Sequence, residues 1–204
     1  MNITLRRGST GAQVRMVQRL LNVAQDGIFG PVTEEAVKDF QRNHGLSPDG
    51  IVGVKTWALL LGNVIRPSKR TITEIIVHCS ATPAGADFTV ADIRRWHKER
   101  GFADIGYHYV IYRDGSVHEG RNVDVAGAHC LGHNAKSIGI CYIGGLAADG
   151  ETPKDTRTNQ QTAALRTLLL KLRALYPQAK IYGHRNFANK ACPCFDAKKE
   201  YADI

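Results

Sequence analysis

The stretch Ile72-Thr73-Glu74-Ile75-Ile76-Val77-His78 decides the fold of most of this 204-residue chain. It is rich in β-branched residues, which favour strands, so it predicts a strand. The segment Thr89-Val90-Ala91-Asp92 follows it and has the pattern of a capping box, which predicts a helix that runs to Gly101. A strand followed by a helix is the first unit of an α/β arrangement.

The same alternation continues toward the C-terminus. The turn pair Asp114-Gly115 separates two short strand patterns, as in a hairpin. Leucines recur with helical spacing over residues 165–175, and Pro177 lies just past the end of that predicted helix. The remaining predicted strands are Tyr107–Arg113, Ser116–Glu119, Ser137–Ile143 and Lys180–His184. Together these segments predict an α/β domain whose mixed sheet is flanked by helices.

An internal repeat sets the N-terminal part of the chain apart. Asp26–Thr33 (DGIFGPVT) recurs 23 residues later as Asp49–Thr56 (DGIVGVKT). Each copy predicts a glycine-rich turn that runs into a helix capped near the threonine, and Val14–Leu21 has helical spacing before them. These patterns predict a small three-helix domain. The predicted organisation is a domain at residues 1–62, a linker at 63–71 and the α/β domain at 72–204.

Composition narrows the possible partners. The formal net charge of +8 favours an anionic partner: nucleic acid, a membrane surface or the bacterial cell wall. No apolar run approaches the ~18–20 residues of a membrane span, and the N-terminus lacks the apolar segment of a secretory signal. Five cysteines, an odd number in a chain of this length, favour a reduced, cytosolic protein. The sequence contains no basic helix, stacking motif or arginine-rich run, so nucleic acid is not expected.

The histidines suggest a metal site. His78 ends the first predicted strand, His184 ends the last, and Cys192 follows eight residues after His184. Two imidazoles and a thiolate leave a fourth position open on zinc, which is the composition of a catalytic site. Spacing alone supports this site only weakly, and ordinary surface or capping roles for these residues are the more common ones.

Four motifs that are separated along the chain favour the metal site over surface or capping roles. His78-Cys79-Ser80-Ala81-Thr82, Gly106-Tyr107-His108-Tyr109, Asn134-x-x-Ser137-Ile138-Gly139 and Lys190-Ala191-Cys192-Pro193 occur in this order. Together they closely resemble the zinc-dependent type-2 N-acetylmuramoyl-L-alanine amidases, which share a fold with peptidoglycan recognition proteins. The likeness covers about residues 72–200 and is greatest to the phage lysozyme branch. Residues 1–62 independently resemble the small peptidoglycan-binding domain found beside many wall hydrolases.

The resemblance implies roles for individual residues. His78, His184 and Cys192 would bind Zn²⁺, while Tyr107 and Lys190 match the two residues that assist catalysis in the phage branch. Such a site would use zinc-activated water to cleave the amide bond between N-acetylmuramic acid and the L-alanine of the stem peptide. Lys190 would stabilise the oxyanion, and Tyr107 would orient the water or donate to the oxyanion.

Three further positions follow from the same resemblance. His129 and Asn134 are expected at the substrate, with His129 lining the cleft and Asn134 shaping the neighbouring loop. A branch of the family that recycles wall fragments carries a glutamate where this chain has Cys141. The missing carboxylate favours the lytic, phage-like branch and leaves Cys141 as a buried small hydrophobic residue.

The sequence therefore predicts a modular, bacteriolytic enzyme of the endolysin type. It would be synthesised in the cytoplasm without a signal peptide and act on the cell wall after release, during host lysis. One alternative is a non-catalytic peptidoglycan-recognition module, although relatives of that kind have lost a zinc ligand and all three are present here. A second alternative is an amidase that also binds and inhibits a polymerase. The oligomeric state has no signal in the sequence.

Overall fold

The computed structural model describes residues 4–61 and 65–204. The chain divides into two compact units, residues 1–66 and residues 67–204. This division falls inside the segment predicted as a linker. The predicted boundary itself, at residues 62 and 63, lies outside the described residues.

Unit 1 is built around three helices in its described part: α1 (Ala12–Leu20), α2 (Pro31–Asn43) and α3 (Val54–Leu61). Two short antiparallel bridges, Leu5 with Val52 and Thr10 with Ile28, join the segment before α1 to the segments that precede α3 and α2. The core is a single apolar cluster contributed by the helices and these segments. Its buried members are Leu5, Val14, Val17, Phe29, Val37, Val52 and Leu60.

The first copy of the repeat folds around a buried glutamine. The Gln18 side-chain amide donates to Asp26 Oδ1 (2.6 Å), to the Ile28 carbonyl (3.0 Å) and to Thr33 Oγ1 (2.9 Å). Its oxygen accepts from the Gly27 N–H at 2.9 Å. One glutamine side chain therefore provides hydrogen-bond partners for several polar groups of the turn. Buried polar groups need such partners.

The second copy repeats this arrangement around Gln41. Its amide donates to Asp49 Oδ1 (2.8 Å), to the Ile51 carbonyl (3.0 Å) and to Thr56 Oγ1 (3.0 Å). The predicted threonine caps are wrong, because α2 begins at Pro31 and Thr33 lies inside its first turn. In both copies the threonine hydroxyl accepts from the glutamine instead of capping the helix.

Five strands of unit 2 form a mixed sheet: β1 (Glu74–Cys79), β3 (Tyr109–Ile111), β4 (Val117–Glu119), β5 (Ser137–Tyr142) and β7 (Lys180–Gly183). Their order is β4-β3-β5-β1-β7, so β5 is the central strand. Strand β1 runs parallel to both β5 and β7, β3 is parallel to β5, and the edge strand β4 is antiparallel to β3. A separate two-residue pair joins β2 (Thr82–Pro83) to β6 (Gly145–Leu146). The predicted α/β class with a mixed sheet is confirmed.

The helices of unit 2 begin where their capping residues predict. In α4 (Val90–Glu99), Thr89 and Asp92 form the expected capping box, and in α5 (Asn159–Leu175) Thr158 and Gln161 form another. Gln161 also donates to the carbonyls of Ile111 and Ile143, which ties α5 to the sheet. A last short helix, α6 (Ala197–Glu200), follows β7.

Two details of unit 2 differ from the sequence patterns. The hairpin strand begins at Tyr109, so Tyr107 and His108 lie just before it. The last strand ends at Gly183, and His184 begins a 3₁₀ turn. Among the described residues, none of the helices has the length and apolar character needed to cross a bilayer.

Candidate metal centre

Two neighbouring strands bring the three predicted ligands together. Strands β1 and β7 are parallel and paired, so their carboxyl ends meet at one edge of the sheet, where His78 lies in β1 and His184 directly follows β7. The ligand atoms of His78, His184 and Cys192 all lie within 4.8 Å of one another. The carboxyl edge of an open α/β sheet is where such folds place their ligands.

The distances suit one small ion. Cys192 Sγ lies 3.8 Å from His78 Nδ1, and the His78 and His184 ring centroids are 4.6 Å apart. The distance from Sγ to Nδ1 is close to the donor-to-donor distance that a tetrahedral ion with bonds of about 2.0–2.3 Å imposes. His78 is buried while His184 and Cys192 are half-buried, so the centre is open to solvent on one side.

Backbone contacts hold the cysteine in place. The Cys79 N–H donates to Cys192 Sγ at 3.3 Å, and the Arg185 N–H donates to the Cys192 carbonyl at 2.7 Å. The Tyr142 hydroxyl donates to the next carbonyl, that of Pro193, at 2.7 Å. These hydrogen bonds fix the position of the loop that carries Cys192.

Electrostatics keep both histidines neutral. Burial lowers the pKa of His78 well below its ordinary value, and the nearby His129, His184 and Lys190 lower it further. Burial and the charge of Lys190 also lower the pKa of His184. Neutral imidazole is the form that binds a metal, so the ligands are in that form at neutral pH.

The two predicted catalytic residues lie beside this centre. The Tyr107 ring centroid is 5.1 Å from that of His78. Burial raises the pKa of Tyr107 well above its usual value, so its hydroxyl remains a neutral hydrogen-bond donor. Lys190 is exposed, and its positive charge contributes to the lowered pKa of His78 and of His184.

His129 and Asn134, the two residues predicted to lie at the substrate, both make hydrogen bonds to other residues of the protein. His129 is buried, with Nδ1 3.0 Å from His78 Nε2 and Nε2 3.2 Å from Ser137 Oγ. Asn134 Oδ1 accepts from the N–H groups of His129 and Cys130 at 2.8 and 3.0 Å, as expected of a residue that shapes this loop. Contact of either residue with substrate stays a prediction.

Other cysteines and histidines have structural places. Cys141 is fully buried in the apolar cluster beneath α4, which confirms its predicted role. Cys194 Sγ is directed to the Gly145 carbonyl (3.1 Å) and lies 3.9 Å from Cys79 Sγ, so it is not in the three-residue group. His108 Nδ1 accepts from the Gly139 N–H at 2.9 Å, which is a structural contact.

Sequence reasoning missed the contacts of two motif residues. Ser137 and Cys79 stand in the quoted motifs, yet neither received a role. The structure places the Ser137 hydroxyl against His129 and the Cys79 N–H against Cys192. The only signal in the sequence was their position beside functional residues, which does not reveal a partner more than 100 residues away in the case of Cys79.

Comparisons with known proteins identify the families of the two units. The family model for N-acetylmuramoyl-L-alanine amidase matches residues 68–195, and the model for a putative peptidoglycan binding domain matches residues 10–60. The chain is 46% identical over 131 residues to the endolysin of Enterobacteria phage K11, covering 64% of this chain and 86% of that protein. It is 45% identical over 125 residues to the endolysin of Escherichia phage T7, covering 61% and 82%.

Solved structures show the same likeness. The endolysin N-acetylmuramoyl-L-alanine amidase LysCS from Clostridium intestinale superposes with a TM-score of 0.56 at 25% identity, covering 69% of this chain and 90% of that one. Wild-type Drosophila PGRP-LB superposes with a TM-score of 0.51 at 28% identity, covering 68% and 82%.

Proposed function

Because the chain belongs to the N-acetylmuramoyl-L-alanine amidase family, we propose that His78, His184 and Cys192 bind the zinc ion of a peptidoglycan amidase. The family and its endolysin relatives make the chain a peptidoglycan hydrolase that carries a peptidoglycan-binding domain. The observation that supports the metal site is the convergence of the three ligand atoms within 4.8 Å at one edge of the sheet.

The donor set fits zinc. Two imidazoles and one thiolate are common zinc ligands, and three protein ligands are typical of catalytic sites, which keep a position for water or substrate. When bound, zinc supplies a Lewis acid and lowers the pKa of water to about 7, which provides a nucleophile at neutral pH. The solvent-open side of the centre is where the amide between N-acetylmuramic acid and L-alanine would enter.

Tyr107 and Lys190 would act on the oxygen of that amide. Since burial keeps the Tyr107 phenol neutral, its hydroxyl can donate a hydrogen bond as negative charge develops on the carbonyl oxygen. The Lys190 ammonium group would balance the same charge, because its field already reaches both histidine ligands. Removal of one such donor typically lowers the rate by about 10²–10³.

The cell wall is the place of action that this function implies. Peptidoglycan is the polymer that both matched domains share, and the relatives of known name include phage endolysins. The enzyme would be made in the cytoplasm and reach the wall when the host is lysed.

Metal removal tests the proposal directly. Purified peptidoglycan is incubated with the enzyme, and released muropeptides are identified by mass spectrometry. We expect stem peptides with a free N-terminal L-alanine, loss of their release after chelation, and recovery with added Zn²⁺. Cys192→Ser should lose both zinc and activity, whereas Cys130→Ser, at a buried cysteine outside the ligand group, should keep both. Full activity after thorough metal removal would exclude the zinc mechanism.

A further inference from the structure

His129 is buried beside the proposed metal centre, and both of its ring nitrogens have partners within the protein. We infer that it is a positioning residue: a hydrogen-bonded relay from Ser137 through His129 to His78 fixes the tautomer and ring orientation of the metal-binding imidazole. The inference rests on the proposed function, since it assumes that His78 binds a metal.

The two nitrogens of His78 have different surroundings. Nδ1 faces Cys192 Sγ at 3.8 Å, whereas Nε2 lies 3.0 Å from His129 Nδ1. Nδ1 is therefore the nitrogen on the side of the other ligands. An imidazole that gives the lone pair of Nδ1 to a metal carries its proton on Nε2, so His78 must donate to His129.

This assignment determines the rest of the relay. His129 Nδ1 accepts from His78, so the proton of the neutral His129 ring is on Nε2. That nitrogen lies 3.2 Å from Ser137 Oγ, whose lone pairs can accept it. Every nitrogen of the two rings then has a compatible partner. Hydrogen bonds of this kind to metal-binding histidines set ring orientation and ligand basicity.

Two glycines form a slot for the His129 ring. A Cβ atom at Gly127 would lie 2.5 Å from His129 Cδ2, and one at Gly139 would lie 2.5 Å from the same atom. Neither position accepts a side chain without displacing the ring. The His129 N–H also donates to Asn134 Oδ1 at 2.8 Å, so backbone and ring are both held. Because the His129 ring is held in this way, it can hold the neighbouring His78 ring in one orientation.

His108 provides a matched control. It is also buried, and its ring centroid lies 5.7 Å from that of His129. Its nitrogens face the Gly139 N–H, Arg70 and the Val125 carbonyl, and none of its described contacts is with His78. Replacement of His108 therefore measures the effect of losing a buried histidine near His129 while the relay is left intact.

The experiment compares the wild-type protein with its variants by two measurements: the affinity for zinc and the visible spectrum of the Co²⁺-substituted protein. Zinc affinity is measured by competition with a chromophoric chelator. His129→Phe should lower it by about 10–100-fold and shift the Co²⁺ bands. His129→Asn, which returns an amide oxygen near the position of Nδ1, should recover much of the affinity. Ser137→Ala should produce a smaller loss in the same direction. His108→Asn should lower the unfolding temperature and leave both metal readouts unchanged.

The outcomes separate this inference from the proposed function. A wild-type protein that binds no stoichiometric zinc overturns the proposed function. Wild-type binding with unchanged affinity and spectrum in His129→Phe overturns only the relay, as does an equal loss in His108→Asn. If His129→Phe fails to fold, Ser137→Ala decides: unchanged affinity and an unchanged Co²⁺ spectrum overturn the relay.

Discussion

Replacement of Tyr107 should lower the catalytic rate without changing the amount of metal that the protein binds. Tyr107→Phe removes one hydroxyl and keeps the ring that packs 5.1 Å from His78. We expect turnover of peptidoglycan to fall by about 10²–10³ because one oxyanion donor is lost, with zinc content unchanged by elemental analysis. Tyr112→Phe is the control, since that hydroxyl accepts from the Val90 N–H away from the ligands. Normal turnover in Tyr107→Phe would remove Tyr107 from the mechanism.

At this scale the identity of the metal ligands stays a prediction, and the structure adds the geometry of the three side chains. The spacing of His78, His184 and Cys192 left several roles open, and the order of the motifs made a metal site the better interpretation. The contact between His78 and His129 could not be predicted, because it joins residues 51 positions apart. It depends on how strands pack and on two glycines whose importance appears only when the ring between them is seen.

Among the elements, the glutamine-centred turns of unit 1 give a stability prediction. Gln41→Met keeps the size of the side chain but removes its hydrogen bonds and leaves the buried Gly50 N–H without its acceptor. We expect a loss of about 2–4 kcal/mol in the free energy of unfolding of unit 1, measured by calorimetry. Gln18→Met should cost a similar amount because its contacts are equivalent. Gln25→Met, at an exposed side chain, is the control; equal unfolding temperatures in all three variants would contradict the prediction.

Two buried histidines, His97 in α4 and His108 just before β3, predict how stability depends on pH. Burial lowers the pKa of His97 and that of His108 to about 4, with nearby arginines adding to the effect. As pH falls below about 6.5, the unfolded chain takes up these protons first, so the folded state loses stability down to about pH 4. Each group contributes at most about 3 kcal/mol.

Urea unfolding at pH 7, 5.5 and 4.5 measures this dependence. The slope of the free energy of unfolding against pH should decrease in His97→Gln, which no longer titrates in that range. Constant stability from pH 7 to 4.5 would show that the two imidazoles are protonated as easily in the folded state as in the unfolded one.

Elements were predictable where local signals are strong. The capping residues Thr89 and Asp92 lie at the start of α4 as the sequence indicates, and the leucine pattern of α5 is correct. The pair β2 and β6 was missed because two-residue strands carry no periodicity. The threonine caps were wrong because a buried glutamine competes for the same hydroxyl, which local sequence rules do not consider.

For the whole molecule, the division into two units predicts that loss of unit 1 affects the hydrolysis of intact cell walls more than that of soluble muropeptides. A chain that starts at residue 67 keeps every ligand of the proposed centre but lacks the peptidoglycan-binding match at residues 10–60. We expect it to hydrolyse soluble muropeptides at the rate of the full chain. On intact walls it should be about 10-fold slower or more, because tethering raises the effective concentration of enzyme at the polymer. An unchanged ratio of the two rates would show that unit 1 does not contribute to targeting.

The order of the ligands along the chain has a consequence for biosynthesis. The proposed centre joins His78, in β1, to Cys192, which is 114 positions later. A nascent polypeptide that has not yet reached residue 192 lacks a ligand, and its sheet also lacks β7 until residue 183 is added. Prematurely terminated translation products therefore carry no complete centre. A cell that accumulates this lytic enzyme holds activity only in chains whose translation has passed the last ligand.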